Sequence, residues 1–187
     1  MNNIAPWNYK LPTALSVRGK EYPIRSDYRA ALDIFLALTD RELDGFNKTM
    51  EMLDILYLDP IPPEDMEEAI KVGMWYLRGG EDEKKAEGKR PQLVSWAQDF
   101  NYIAAPISQV VGKDIRGLDY FHWWSFLSAY MGIGDCLFAQ IVRIREKLAM
   151  GKSLDKTDRA FYRKNRDIID IKKPLTGAEE QILKEWM

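Results

Sequence analysis

Leu43, Phe46, Met50, Leu53 and Tyr57 recur at spacings of three and four, and that interval governs most of the chain from Ser26 onward. A period near 3.6 puts apolar side chains on one stripe of an α-helix, which must then find a surface to cover it. The same period runs through Tyr28, Ala31, Leu32, Phe35 and Leu38, and again through Met66, Ile70, Gly73 and Leu77. A mainly α fold follows. At 187 residues, with 46% hydrophobic and 30% charged side chains, the chain is long enough for one domain with a real core and too apolar for disorder.

Caps and breakers set the expected boundaries. Ser26 or Asp27 caps a helix through Leu38, and Thr39-Asp40-Arg41-Glu42 has capping-box spacing for the next. Asp59-Pro60-Ile61-Pro62-Pro63 stops that one, and Pro63 suits the first position of a third, ended by Gly79-Gly80. Further helices are expected over 94–111, with a kink or break near Ala105 because Pro106 lacks an amide, and over 119–131, 135–148 and 155–168. Before the helices, residues 14–17 and 21–24 flank Arg18-Gly19-Lys20, a hairpin signal with Pro23 suited to a sheet edge. The expectation is a single helical domain over 1–187, of about seven to eight helices with a small N-terminal β-hairpin. Residues 1–12 read as an extended arm, and 79–91 as a mobile charged loop, or as a linker between two lobes. Residues 172–187 read as a detachable C-terminal helix: Ile182, Leu183 and Trp186 share one face, and ten residues are too few to be helical alone. It must dock on its own domain or in a groove of another copy or partner.

Composition removes many functions. Cys136 is the only cysteine and His122 the only histidine, so a disulfide framework and most zinc sites are excluded. The longest uncharged run, Tyr120 to Gly134, is too short to span a bilayer, and Met1-Asn2-Asn3-Ile4 does not begin a signal peptide; a cytoplasmic location is expected. Asp119, His122, Ser125 and Ser128 stand at intervals of three and resemble the parts of a catalytic triad. A mid-helix serine has no oxyanion hole, though, and the aromatic run around it reads as buried structure. Glu64, Asp65, Glu67 and Glu68 fall in a first helical turn, where they favour the helix dipole. Gly132-Ile133-Gly134 lacks the third glycine and the preceding strand of a dinucleotide loop. No catalytic, cofactor-binding or metal-ligating residue is assigned, and the protein is expected not to be an enzyme.

Charge is the better signal. From Asp27 to Glu83 there are 15 acidic and 5 basic residues; from Arg143 to Lys173 there are 11 basic and 5 acidic. Arg159, Arg163, Lys164 and Arg166 could follow a nucleic-acid backbone, with Phe161 or Tyr162 stacking on bases. With a net charge of −2, a basic surface that meets an acidic one, within the molecule or between copies, is the preferred reading. Met50, Met52, Met66 and Met74 fall on adjacent helices and suit either a core or an adaptable binding surface.

Four stretches then carry a resemblance: Tyr22-Pro23-Ile24-Arg25-Ser26-Asp27-Tyr28-Arg29, Leu53-Asp54-Ile55-Leu56-Tyr57, Phe121-His122-Trp123-Trp124-Ser125-Phe126 and Ile141-Val142-Arg143-Ile144-Arg145. In this order, across about Tyr22 to Lys164, they resemble a family of small proteins of long-tailed (siphovirus-type) bacteriophages and prophages. Its members are encoded beside the tape-measure protein, in the position of tail assembly chaperones. The resemblance implies a non-catalytic chaperone that binds the tape-measure protein, and the tail-tube protein as a second client, inside the host cell. It implies no catalytic residues. Ile182, Leu183 and Trp186, with the cations Arg159, Arg163 and Lys164, are the candidate surface for a partner or for self-association into a homo-oligomer, and docking of the last helix on its own core is the preferred alternative. A nucleic-acid-binding regulator using residues 155–168 is the alternative.

Overall fold

A computed structural model describes residues 10–82 and 91–172. Most of the expected N-terminal arm, the centre of the charged loop and the C-terminal helix with Ile182, Leu183 and Trp186 lie outside the described residues. Strands β1 (Ala14–Val17) and β2 (Lys20–Pro23) pair antiparallel with Val17 opposite Lys20. Only Arg18 and Gly19 connect them, at φ 48° and 83°. Positive φ at both central residues is a type I′ turn, whose twist matches that of the strands. The connection is therefore one residue shorter than expected, because Lys20 joins the ladder. Eight α-helices follow among the described residues: α1 (Tyr28–Thr39), α2 (Gly45–Leu56), α3 (Met66–Leu77), α4 (Trp96–Val111), α5 (Trp123–Met131), α6 (Leu137–Ala149), α7 (Lys156–Lys164) and α8 (Arg166–Ile169). The expected mainly α fold with a small hairpin is what is found.

The chain divides into two compact units. The first holds the hairpin, α1 through Leu38, α2, α3 and the start of α5. Leu15, Val17, Tyr22 and Ile24 alternate into its core, and Tyr28 stacks on Phe126 with centroids 4.9 Å apart. Asp27 starts α1: its Oδ1 accepts from the Arg29 amide at 3.0 Å, while its Oδ2 accepts from the Phe121 amide at 2.8 Å. The Tyr28 amide donates to Phe121 O and the Trp123 amide to Ser26 O. These exchanges keep the segment before α5 extended, so the helix expected from Asp119 begins at Trp123.

Two stripes depart in part from expectation. On α1 Tyr28 and Ala31 are buried as expected, Ile34 is buried although outside the expected stripe, and Leu32, Phe35 and Leu38 are half-buried. On α2 the inward face is Met52, Leu53 and Leu56, and Phe46 is 70% exposed. The Thr39–Glu42 stretch does not open a helix. Thr39 closes α1, and Asp40 Oδ1 accepts from the Glu42 amide at 2.8 Å in a local turn, so α2 starts only at Gly45. Pro63 does open a 3-10 turn (Pro63–Asp65) that leads into α3. At the other end of α3, Trp123 Nε1 donates to Leu77 O at 3.0 Å and Trp124 Nε1 to Tyr76 O at 2.9 Å. The two indoles thus bond carbonyls at the C-terminal end of α3, where the helix's own amides run out, and Tyr76 O accepts from the Gly79 amide as well.

The second unit contains α4, the later part of α5, and α6 to α8. Helix α4 runs unbroken through Pro106, so the break expected near Ala105 is absent. Proline in a helix interior costs about 3 kcal/mol. Ile103 and Ile107, both fully buried, each return about 1.5–3 kcal/mol and hold the two halves to the same core. The helix expected over 155–168 is two helices, because Asn165 turns back: its amide and its side-chain Nδ2 both donate to Phe161 O. Phe161 and Tyr162 pack on a buried cluster of Ile141, Ile144 and Ile169.

Candidate functional site

The residues that resembled a triad do not form one. His122 is 3% exposed, with Nδ1 accepting from the Trp124 amide at 3.0 Å and Nε2 2.9 Å from Pro12 O. The first contact needs a bare Nδ1 and the second a proton on Nε2, so this is one neutral tautomer with both nitrogens in use. Burial lowers its pKa below the ordinary 6.5. Asp119 lies in exposed chain outside any helix. His122 is a helix-capping residue that ties the chain at Pro12 to α5. Of the acidic cluster, Asp65 accepts from Tyr22 OH at 2.9 Å, and Glu67 and Glu68 sit in the first turn of α3.

Much of the basic segment is neutralised internally. Arg145, 5% exposed, forks onto Asp99, fully buried: Nη1 to Oδ2 at 2.6 Å and Nη2 to Oδ1 at 2.9 Å. Arg145 also donates to the carbonyls of Leu93, Ile168 and Ile169, and Asp99 Oδ2 accepts from the Ser95 amide. One ion pair therefore joins α4, α6, α8 and the approach to α4. Sequence reasoning missed it. Asp158, buried at the start of α7, accepts from Lys147 and from Arg143 at 3.3 Å, and it raises the pKa of Lys147. Arg166 pairs with Asp170 at 2.8 Å.

What remains is the outer face of α7. Lys156, Arg159 and Arg163, spaced by three and four, lie along one side, with Lys164 beside them, and all four are exposed. Arg159 donates to Leu154 O; Arg163 and Lys164 have no ion-pair partner among the described residues. The structure thus brings three of the four predicted cations together on one helix, while Arg166 opens α8 and is paired with Asp170. Phe161 and Tyr162 are half-buried against the core cluster, and Tyr162 OH donates to Asp170 at 2.8 Å, which limits the ring surface either offers a base.

The first unit carries a surface that sequence reasoning did not assemble. An open depression of about 710 Å³ lies between the start of α1 and the end of α2, lined by Ala30, Asp33, Ile55 and Tyr120 among others. A second, of about 290 Å³, is lined by Met50, Asp59, Ile61 and Met66 and shares Arg25, Asp54 and Leu58 with the first. Leu58, at the junction, is 54% exposed. Arg25 is held down by the end of α2, its Nη1 donating to the carbonyls of Asp54, Ile55 and Tyr57. The methionine spacing was the available signal, and it favoured core and surface equally.

Among the described residues no cluster of three or more His, Cys, Asp or Glu side chains could hold a metal ion, and no helix is long and apolar enough to cross a membrane. No curated protein and no solved structure matches the chain. The family model described as Bacteriophage Gp15 protein matches residues 8–171, which takes in the hairpin, all eight helices and both units. The chain belongs to the Bacteriophage Gp15 protein family.

Proposed function

We propose that this protein is a non-catalytic tail assembly chaperone, which holds the tape-measure protein, and the tail-tube protein as a second client, during tail morphogenesis. It acts in the cytoplasm of the bacterial host, on phage or prophage tails, and is left out of the finished virion. Membership of a bacteriophage family over residues 8–171 is the observation that carries this reading. The exposed apolar side chains Phe46, Leu58 and Met131 support it, since such groups suit contact with apolar segments of another protein. A tape measure is a long helical chain, and amphipathic segments of that kind are covered by helix-in-groove contacts. The test is co-expression of the tape-measure protein with and without this chain. Increased tape-measure solubility and a co-purifying complex are expected; unchanged solubility with no complex ends the proposal.

Nucleic-acid binding through α7 keeps its exposed cations, but the half-burial of Phe161 and Tyr162 weakens its stacking part and leaves it mainly electrostatic. Self-association through 172–187 is tested by truncation after Lys173, with the mass read by light scattering. A folded monomer in place of an oligomer supports exchange of that segment, and an unchanged assembly state ends it.

A further inference from the structure

The two depressions of the first unit meet at Arg25, Asp54 and Leu58 and make one groove. Its floor is apolar: Ala30, Ile55 and Leu58 on one side, Met50, Ile61 and Met66 on the other. Methionine is unbranched and polarizable, so it adapts to varied apolar partners. Asp33, Asp54 and Asp59 stand along the groove, all exposed and with no ion-pair partner among the described residues. The groove's arginines are already engaged. Arg25 caps α2, while Arg29 pairs with Asp27 at 3.1 Å and lies over the Tyr28 ring. An apolar floor is left with three carboxylates against the single charge of Arg25, which bonds only neutral carbonyls, so the balance along the groove is negative.

We propose that this groove binds an amphipathic helix of another protein whose apolar stripe is flanked by lysine or arginine. A strand is the poorer guest, because the amides bordering the groove are spent: Ile24 donates to Thr13 O, Arg25 to Leu56 O and Leu58 to Pro23 O. A second copy's α7 has the cations but has Phe161 and Tyr162 half-buried against its own core cluster, so its apolar side is already packed. The chain's own residues 173–187 have the apolar side chains but carry three acidic residues against two basic ones, the wrong balance for this rim. The guest is therefore a cationic amphipathic helix supplied by a partner. That this helix belongs to the tape-measure protein rests on the chaperone reading; the chemistry of the groove does not.

The test uses the full chain and two fluorescent peptides of about 20 residues, long enough to form a helix. They share one leucine–alanine stripe, flanked in one by lysine and in the other by glutamate. Fluorescence anisotropy should show binding of the lysine peptide, weakening as salt rises, and none of the glutamate peptide. The double variant Asp33→Lys, Asp54→Lys should weaken binding by about tenfold or more, and Leu58→Ser should weaken it at any salt. Circular dichroism confirms that each variant is folded. Equal binding of both peptides, binding of neither, or no effect of these substitutions overturns the inference. Peptide binding without a tape-measure complex overturns the chaperone reading alone. A tape-measure complex without peptide binding overturns the groove alone.

Discussion

Asp99→Ala removes the carboxylate from the Arg145 guanidinium and leaves a charge that is 5% exposed with carbonyls for company but no counter-ion. Arg145 makes five hydrogen bonds, two of them to Asp99, and Asp99 also accepts from the Ser95 amide that precedes α4. Breaking a buried pair from one side costs about 3–5 kcal/mol, whereas replacing both partners with apolar residues of similar volume is often close to neutral. A protein of this kind has about 5–15 kcal/mol in all, so the single substitution removes a large share. Urea unfolding is the assay. With a slope of about 2 kcal/mol per molar, Asp99→Ala should lower the midpoint by about 2 M. Arg145→Lys keeps the charge but loses the planar fork, and should also destabilise clearly. The double variant Asp99→Leu, Arg145→Met should recover most of the loss, although the Leu93, Ile168 and Ile169 carbonyls it strips of a donor keep recovery incomplete. A cost below about 1 kcal/mol for Asp99→Ala, or a double variant as unstable as the sum of the singles, refutes the reasoning.

His122 is held neutral with its pKa below 6.5, so below that pH the unfolded chain binds a proton that the folded one resists. Stability from this group is full above pH 6.5 and falls as pH drops toward the folded pKa; the decline in melting temperature from pH 7.5 to 5.5 should be shallower in His122→Gln than in the wild type. Gly80 sits at φ 86°, and an added Cβ would lie 2.8 Å from Trp124 Cη2, so Gly80→Ala should cost about 1–3 kcal/mol in chemical denaturation. Gly45 meets nothing within 4 Å and opens α2, so Gly45→Ala should instead stabilise by about 0.5–1 kcal/mol. Arg18 occupies the first central position of the type I′ turn at φ 48°, and Arg18→Asn should raise the melting temperature slightly, since asparagine tolerates that conformation better.

The elements that could be read in the sequence are those whose instructions are local. The period of three and four located the helices, Pro63 marked the start of the third, and Gly19 marked the hairpin. Errors came where a distant group decides. The segment before Trp123 has a helical pattern, yet Asp27 and Ser26, more than 90 residues away, take the amides that a helix would use. Pro106 is a breaker by local rules, and burial of Ile103 and Ile107 on either side overrides it. The Asp99–Arg145 pair went unread because the two stand 46 residues apart and nothing in their neighbourhoods shows that they meet. The cations of α7 were legible from spacing alone. The groove was not, since it is assembled from the end of β2, α1, α2 and the turn before α3, and its exposed apolar residues look like core residues until the fold has placed them.

The proposed chaperone role requires this chain to bind and shield a tape-measure protein. Calorimetric titration of the purified chain into purified tape-measure fragments, with light scattering to follow their aggregation, is the decisive experiment. Saturable binding at micromolar affinity or tighter is expected, with aggregation suppressed at the binding stoichiometry. Fragments that release no binding heat and aggregate at the same rate with and without the chain would contradict it.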